Sequence, residues 1–138
     1  MGTIHRRQEQ GNNWTWDGVS VYAYNSNNAT KQVLIGREDG ANNFEVRFFT
    51  VPARGFSSLD EHAHDHGVLI MQGRARVMLG DQFEEVGPGD VVYIPSWERH
   101  QFENLTDDVF SFLCIIPPKP VKPDGEIEAT HEFGAVKS

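Results

Sequence analysis

The chain has a single cysteine, Cys114, among 138 residues. No intrachain disulfide is possible, which fits a reducing compartment and leaves stability to the core. Flanked by Leu113 and Ile115, with no nucleophile signature around it, Cys114 reads as a small buried hydrophobe. Cations are scarce too: 12 Lys and Arg stand against 20 Asp and Glu, for a net charge of -8. Nucleic acid and anionic membrane both reward clustered Lys and Arg, so neither is expected as a partner. No apolar run approaches the roughly 18 residues of a membrane helix. Met1 to Gln10 lacks the apolar segment of a secretory signal, and Arg6 stands where a myristoylation motif needs Ser or Thr. A cytoplasmic location is the expectation. A sustained 3.6-residue apolar period is also missing, so no helix is expected, and no repeat of solenoid length occurs.

What the chain does have is short apolar segments cut by turns. Val19–Tyr24, Gln32–Gly36, Phe44–Val51, Val68–Met71, Arg74–Leu79, Gln82–Val86, Val91–Ile94, Arg99–Asn104 and Val109–Ile116 read as strands. Asp17-Gly18, Asp39-Gly40, Gln72-Gly73, Gly80-Asp81 and Gly87-Pro88-Gly89-Asp90 punctuate them. This pattern predicts an all-β sandwich or small barrel. The length suits one domain, large enough to bury about two-thirds of its unfolded surface. Its core is expected at about 19–116, behind a polar N-terminal arm at 1–18. Trp14 and Trp16 in that arm either cover a strand face or pack on a partner subunit. Pro117, Pro118, Pro120 and Pro123 end regular structure, so 117–138 reads as a tail ordered only where it docks.

Chemistry concentrates in Asp60-Glu61-His62-Ala63-His64-Asp65-His66, which holds three of the six histidines. An extended chain sends alternate residues to one face. In that case His62, His64 and His66 share a face with Asp60, and several neutral imidazoles on one face can converge on an ion. Glu61 and Asp65 then face away.

Further on, Gly89-Asp90-Val91-Val92-Tyr93-Ile94-Pro95-Ser96-Trp97-Glu98-Arg99-His100-Gln101-Phe102-Glu103-Asn104 is a turn, a buried strand, a Pro break and a strand opening on His. It resembles the second motif of the cupin family. Gly89, Pro95, His100 and Asn104 fit at every spacing, while Trp97 replaces the usual Gly and is expected to need a different backbone conformation there. Gly55 to Gly73 resembles the first cupin motif in part, with two registers open. One makes His62, His64, His66 and His100 the metal ligands. The other makes them Asp60, His62, His66 and His100, with His64 in a turn. The position of that motif's usual Glu is His66.

The resemblance implies a single-domain double-stranded β-helix, the jelly-roll or cupin barrel, often a homodimer, with a metal near its centre. Ligands of this kind suit a divalent transition metal: Zn, Fe, Ni, Mn or Cu. Metal ligation needs neutral imidazole, so loss of metal at acid pH is expected. Phe102 should share a face with His100 and line the interior, with Met71, Tyr93, Trp97 and Phe112 as further candidates. Arg74 and Arg76 are read first as a solvated face and second as a carboxylate clamp. His5 and His131 read as surface residues, and Asn104 as the closure of a strand end. The leading functional expectation is a metal-dependent dioxygenase, isomerase or lyase acting on a small oxygen-rich or carboxylate molecule. The alternatives are a non-catalytic binding module for a sugar or organic acid, with the metal as anchor, and a fold whose metal is purely structural.

Overall fold

The structure, a computed structural model, describes residues 1–25 and 28–118. Eleven strands follow one another among them: β1 (Arg7–Gln10), β2 (Asn13–Trp16), β3 (Tyr22–Ala23), β4 (Thr30–Ile35), β5 (Glu45–Val51), β6 (His66–Gln72), β7 (Ala75–Leu79), β8 (Gln82–Val86), β9 (Val91–Ile94), β10 (His100–Asn104) and β11 (Phe110–Ile116). Every pairing is antiparallel. The larger sheet runs β3-β4-β5-β11-β6-β9 and the smaller β10-β7-β8. The segment before the site extends the smaller sheet, with bridges from Phe56 to Glu103 and from Asp60 to His100. The result is the β-sandwich of the cupin barrel, as the turn spacing and the resemblance led one to expect.

Alternation assigns each strand's two faces. On β6, His66, Val68 and Ile70 are buried while Gly67, Leu69 and Met71 are less so. Phe112, Cys114 and Ile116 of β11 point to the same interior. Between the sheets, Phe102 stacks on Phe112 at 4.6 Å, and Phe112 on Phe49 at 5.1 Å. Strand ends differ from the sequence reading by a residue or two, except at Val19–Tyr24, where only Tyr22–Ala23 is strand. Asn104 closes a strand end as expected: its Nδ2 donates to the carbonyls of Val51, Pro52 and Asp108. At Gly73 the backbone is left-handed, and a Cβ would run into the Val109 carbonyl, so this turn needs glycine.

The N-terminal residues are more than a polar arm. β1 and β2 form a hairpin that lies on the outer face of the larger sheet. Trp16 meets Phe48 edge-on at 4.9 Å and Trp14 stacks on it at 6.0 Å. Gln32 Nε2 fastens the hairpin by donating to the Trp14 carbonyl at 2.9 Å. Both tryptophans thus cover a strand face of their own chain. No helix among the described residues is long and apolar enough to cross a membrane. Most of the expected tail, 119–138, lies outside the described residues, and His131 with it.

Candidate metal centre

Three separate backbone devices bring the histidines together. His66 opens β6 and faces inward, opposite Ile94 of β9. His100 opens β10, where its amide donates to the Asp60 carbonyl at 3.0 Å and its carbonyl accepts from the Asp60 amide at 3.1 Å. His62 sits in the irregular chain between, and its carbonyl accepts the Trp97 amide at 2.6 Å. The histidine stretch is therefore not extended throughout, contrary to the alternating-face argument. It bends at Ala63 and His64, and regular strand begins only at His66.

Trp97 corrects a second expectation. Its φ is +63°, the left-handed conformation a glycine would supply. The turn before His100 keeps the glycine-type backbone and makes a bulky residue adopt it, an uncommon arrangement for an aromatic side chain.

The ring of His100 lies 5.4 Å from that of His62 and 5.0 Å from that of His66, and the last two are 4.9 Å apart. All three side chains are buried. One donor atom from each lies within 4.8 Å of the others, a group that could hold a metal ion. These are the histidines common to both sequence registers. The two residues that distinguished the registers both lie beside the trio. His64 is half-buried and its ring is 4.8 Å from those of both His62 and His66. Asp60 is buried, accepts the Tyr24 hydroxyl at 3.0 Å on Oδ2, and places that oxygen 3.7 Å from His62 Nε2.

Each ring turns one nitrogen to a neighbour. His100 Nδ1 donates to the Glu98 carbonyl at 2.9 Å, His66 Nδ1 is 3.5 Å from Cys114 Sγ, and His62 Nε2 faces Asp60. Such outer partners fix ring orientation and leave the opposite nitrogen a lone pair. Two of those opposite nitrogens, His62 Nδ1 and His66 Nε2, are buried with no hydrogen-bond partner among the described residues, as is Asp60 Oδ1. Buried polar atoms are normally paired. A proton does not relieve His66: burial first, then the charges of His100 and the other histidines, push its pKa down to about 2. Burial also lowers His100. A group of buried, inward-aimed imidazoles beside a carboxylate fits a divalent transition metal.

The trio opens into a cavity of about 130 Å³. Phe49, Phe102 and Phe112 form its apolar wall, and Arg47, Lys31 and Cys114 also line it. Phe102 and Phe112 were expected there. Met71, Tyr93 and Trp97 were also candidates but lie elsewhere: Met71 is on the outer face, and Tyr93 and Trp97 are exposed. Tyr93 donates to Asp65 at 2.8 Å outside the barrel. Arg76 pairs with Glu103 at 2.8 Å on the exposed face, the first of the two readings offered for it. His5, read as ordinary surface, holds Asp39 at 2.6 Å.

Arg47, Lys31, Tyr24 and the site position of Cys114 escaped the sequence reading. Arg47 shares a face with Phe49 and Val51, both buried, so its signal was a cation in register with core residues. Cys114 gave no such signal, being apolar in company and buried, with its thiol raised by that burial.

Comparison with known proteins agrees with the geometry. The family model for the Cupin domain matches residues 47–116. A 1-methylthio-D-xylulose 5-phosphate methylsulfurylase of Rhodospirillum rubrum is 36% identical over 122 residues, spanning 84% of this chain and 77% of that protein. The crystal structure of a cupin-2 domain from the same organism superimposes with a TM-score of 0.73 at 33% identity, covering 86% of this chain and 78% of the other. A cupin 2 conserved barrel protein from Rhodopseudomonas palustris gives a TM-score of 0.70 at 29% identity, with 89% of each chain covered. With the sandwich, the inward histidine trio and these matches in agreement, the chain belongs to the cupin family.

Proposed function

We propose that this cupin is a metal-dependent enzyme of the dioxygenase, isomerase or lyase type, acting on a small oxygen-rich or carboxylate molecule. One observation carries the reading: the buried, inward-aimed imidazoles of His62, His66 and His100 end at a cavity that also holds polar and charged side chains. A purely structural ion would need no such cavity beside it. His62, His66 and His100 would hold the ion, with His64 as a fourth ligand from the rim. Bound there, a divalent ion would polarise a carbonyl or enolate oxygen. Glu98, Cys114 and Asp60 orient the three rings, and Tyr24 in turn holds Asp60. Phe49, Phe102 and Phe112 keep bulk water from one side of the cavity.

The Rhodospirillum rubrum relative is named for a phosphorylated sugar derivative, a small oxygen-rich molecule, which supports the substrate class without naming this chain's substrate. The rival reading is a binding module that anchors a sugar or organic acid on the metal. It draws support from the cavity lining, where Asp60 is the only acid among the described residues and is already engaged by Tyr24. Elemental analysis of protein purified without chelator is expected to show about one transition-metal ion per chain. Turnover of small ketones, diketones and uronic acids, with O2 consumption followed, then separates enzyme from binder. Binding without turnover across the panel would favour the module.

We infer a cytoplasmic setting from the lone cysteine, and a homodimer whose contact is the outer sheet face beside the hairpin. Pairing aligns Tyr93, Gly67 and Ile115 across that face, with Val91 and Leu69 in the next row. Val91 and Tyr93 are 75% and 62% exposed. A monomer mass at micromolar concentration would remove the dimer.

A further inference from the structure

Arg47 is an expensive residue where it stands. Its side chain comes from β5 into the interior and is buried. The guanidinium rests over the Phe49 ring, 5.1 Å from the centroid. Its hydrogen bond among the described residues runs from Nη2 to Cys114 Sγ at 3.4 Å, and sulfur is a weak acceptor. Nε is buried with no hydrogen-bond partner among the described residues. No carboxylate among the described residues lies within ion-pair distance of it. Nη2 and Nε form one edge of the guanidinium, the edge that grips a carboxylate with two parallel hydrogen bonds. Here that edge meets one poor acceptor. A buried cation left in this state is destabilising unless something compensates it.

The charge balance of the cavity points the same way. Arg47 brings a cation into the lining, where Asp60 is the one acid among the described residues, before any metal ion is counted. Asp60 already accepts from Tyr24 and faces His62. A divalent ion at the histidines would leave the cavity with an excess of positive charge. An anion entering the cavity would redress it.

Position then narrows the kind of anion. Cys114 Sγ stands between the two groups, 3.4 Å from Arg47 Nη2 and 3.5 Å from His66 Nδ1. A ligand held at one end by the guanidinium needs only a few atoms to bring its other end to the histidines. The cavity, about 130 Å³, has room for a molecule of a few heavy atoms. We propose that Arg47 anchors the carboxylate of a short oxo- or hydroxycarboxylate, presenting its neighbouring oxygen to the histidine trio. This rests on the metal-enzyme reading above and names its substrate class.

The test is isothermal titration of the full chain with pyruvate, its neutral amide pyruvamide, and inorganic phosphate. It is run on metal-depleted and metal-loaded protein, with metal content measured on the same samples. The wild type is expected to prefer pyruvate over pyruvamide. Arg47→Gln should weaken pyruvate about 10- to 100-fold, the range for a hydrogen bond to a charged group, and leave pyruvamide unchanged. Arg47→Lys keeps the charge but loses the fork, so it should fall between. It also covers the case in which the glutamine variant fails to fold. Equal pyruvate binding by wild type and Arg47→Gln overturns the proposal, as does a wild type that shows no preference for the acid. Phosphate binding that depends on Arg47, with pyruvate ignored, overturns the carboxylate assignment. Protein that retains metal but fails these arms leaves the metal reading standing. Protein without metal whose pyruvate binding still needs Arg47 sinks the metal reading alone.

Discussion

Arg47 and Phe48 are neighbours on β5, and they meet opposite treatment. Phe48 points outward, where the fold spends a whole hairpin on it: two tryptophans close over the ring until 1% of the residue is exposed. Arg47 points inward, where packing should be best, yet one of its donors has no partner among the described residues. The unpaired nitrogens of His62 and His66 lie on that same inner side. The outer face is finished for stability. The inner cavity holds polar groups at a cost, as sites for ions and ligands do.

The comparison breaks or holds under four measurements. The largest effect is expected at the sealed face. Phe48→Ala should lose about 3–5 kcal/mol in a denaturant titration, the range for emptying a packed aromatic site. Metal content of the folded fraction should not change; a parallel fall would show that the two faces are not independent. Next, His100→Ala should drop metal from about one ion per chain to a small fraction by elemental analysis. Its unfolding midpoint without metal should move far less than that of Phe48→Ala. Retained stoichiometric metal would remove His100 from the centre.

The third effect is pH-dependent. His66 titrates at about 2 when folded, against 6.5 for the free side chain, because burial disfavours its cation. Acid therefore protonates the unfolded chain first. The stability due to this residue is complete above pH 6.5 and is lost as pH falls from there toward 2, at up to about 1.4 kcal/mol per unit. Metal-free protein melted across pH 4–8 should show this slope, and His66→Gln should flatten it. An unchanged slope in the variant would assign the acid sensitivity elsewhere. The smallest effect is Trp97→Gly. Releasing a left-handed tryptophan should gain about 1 kcal/mol, set against the small burial lost from an exposed ring. A clear loss of stability would mean that the indole packs more usefully than its exposure suggests.

The sandwich was legible because its signals are local. Val and Phe alternation marked β5 and β11, and Gly87-Pro88-Gly89-Asp90 fixed the turn into β9. The hairpin at the N-terminus was missed because its strands are polar on one side and only four residues each. Its reason for forming, Phe48, lies far along the chain. At the site, His62, His66 and His100 were within reach because both readings of the motif contained them. The bend at Ala63 was not, since strand alternation and a loop can both bring the same rings inward. Arg47 was hidden for a related reason. A cation inside an apolar strand can face either way by periodicity alone, and only the register with β11 decides it.

The place of Trp97 gives the molecule a built-in optical probe. Its indole is 55% exposed, whereas Trp14 and Trp16 are half-buried on Phe48, so an aqueous quencher such as iodide should reach it first. Its amide is bonded to the carbonyl of His62. Fluorescence from this one side chain should therefore respond when the loop carrying His62 tightens or loosens, with no label attached.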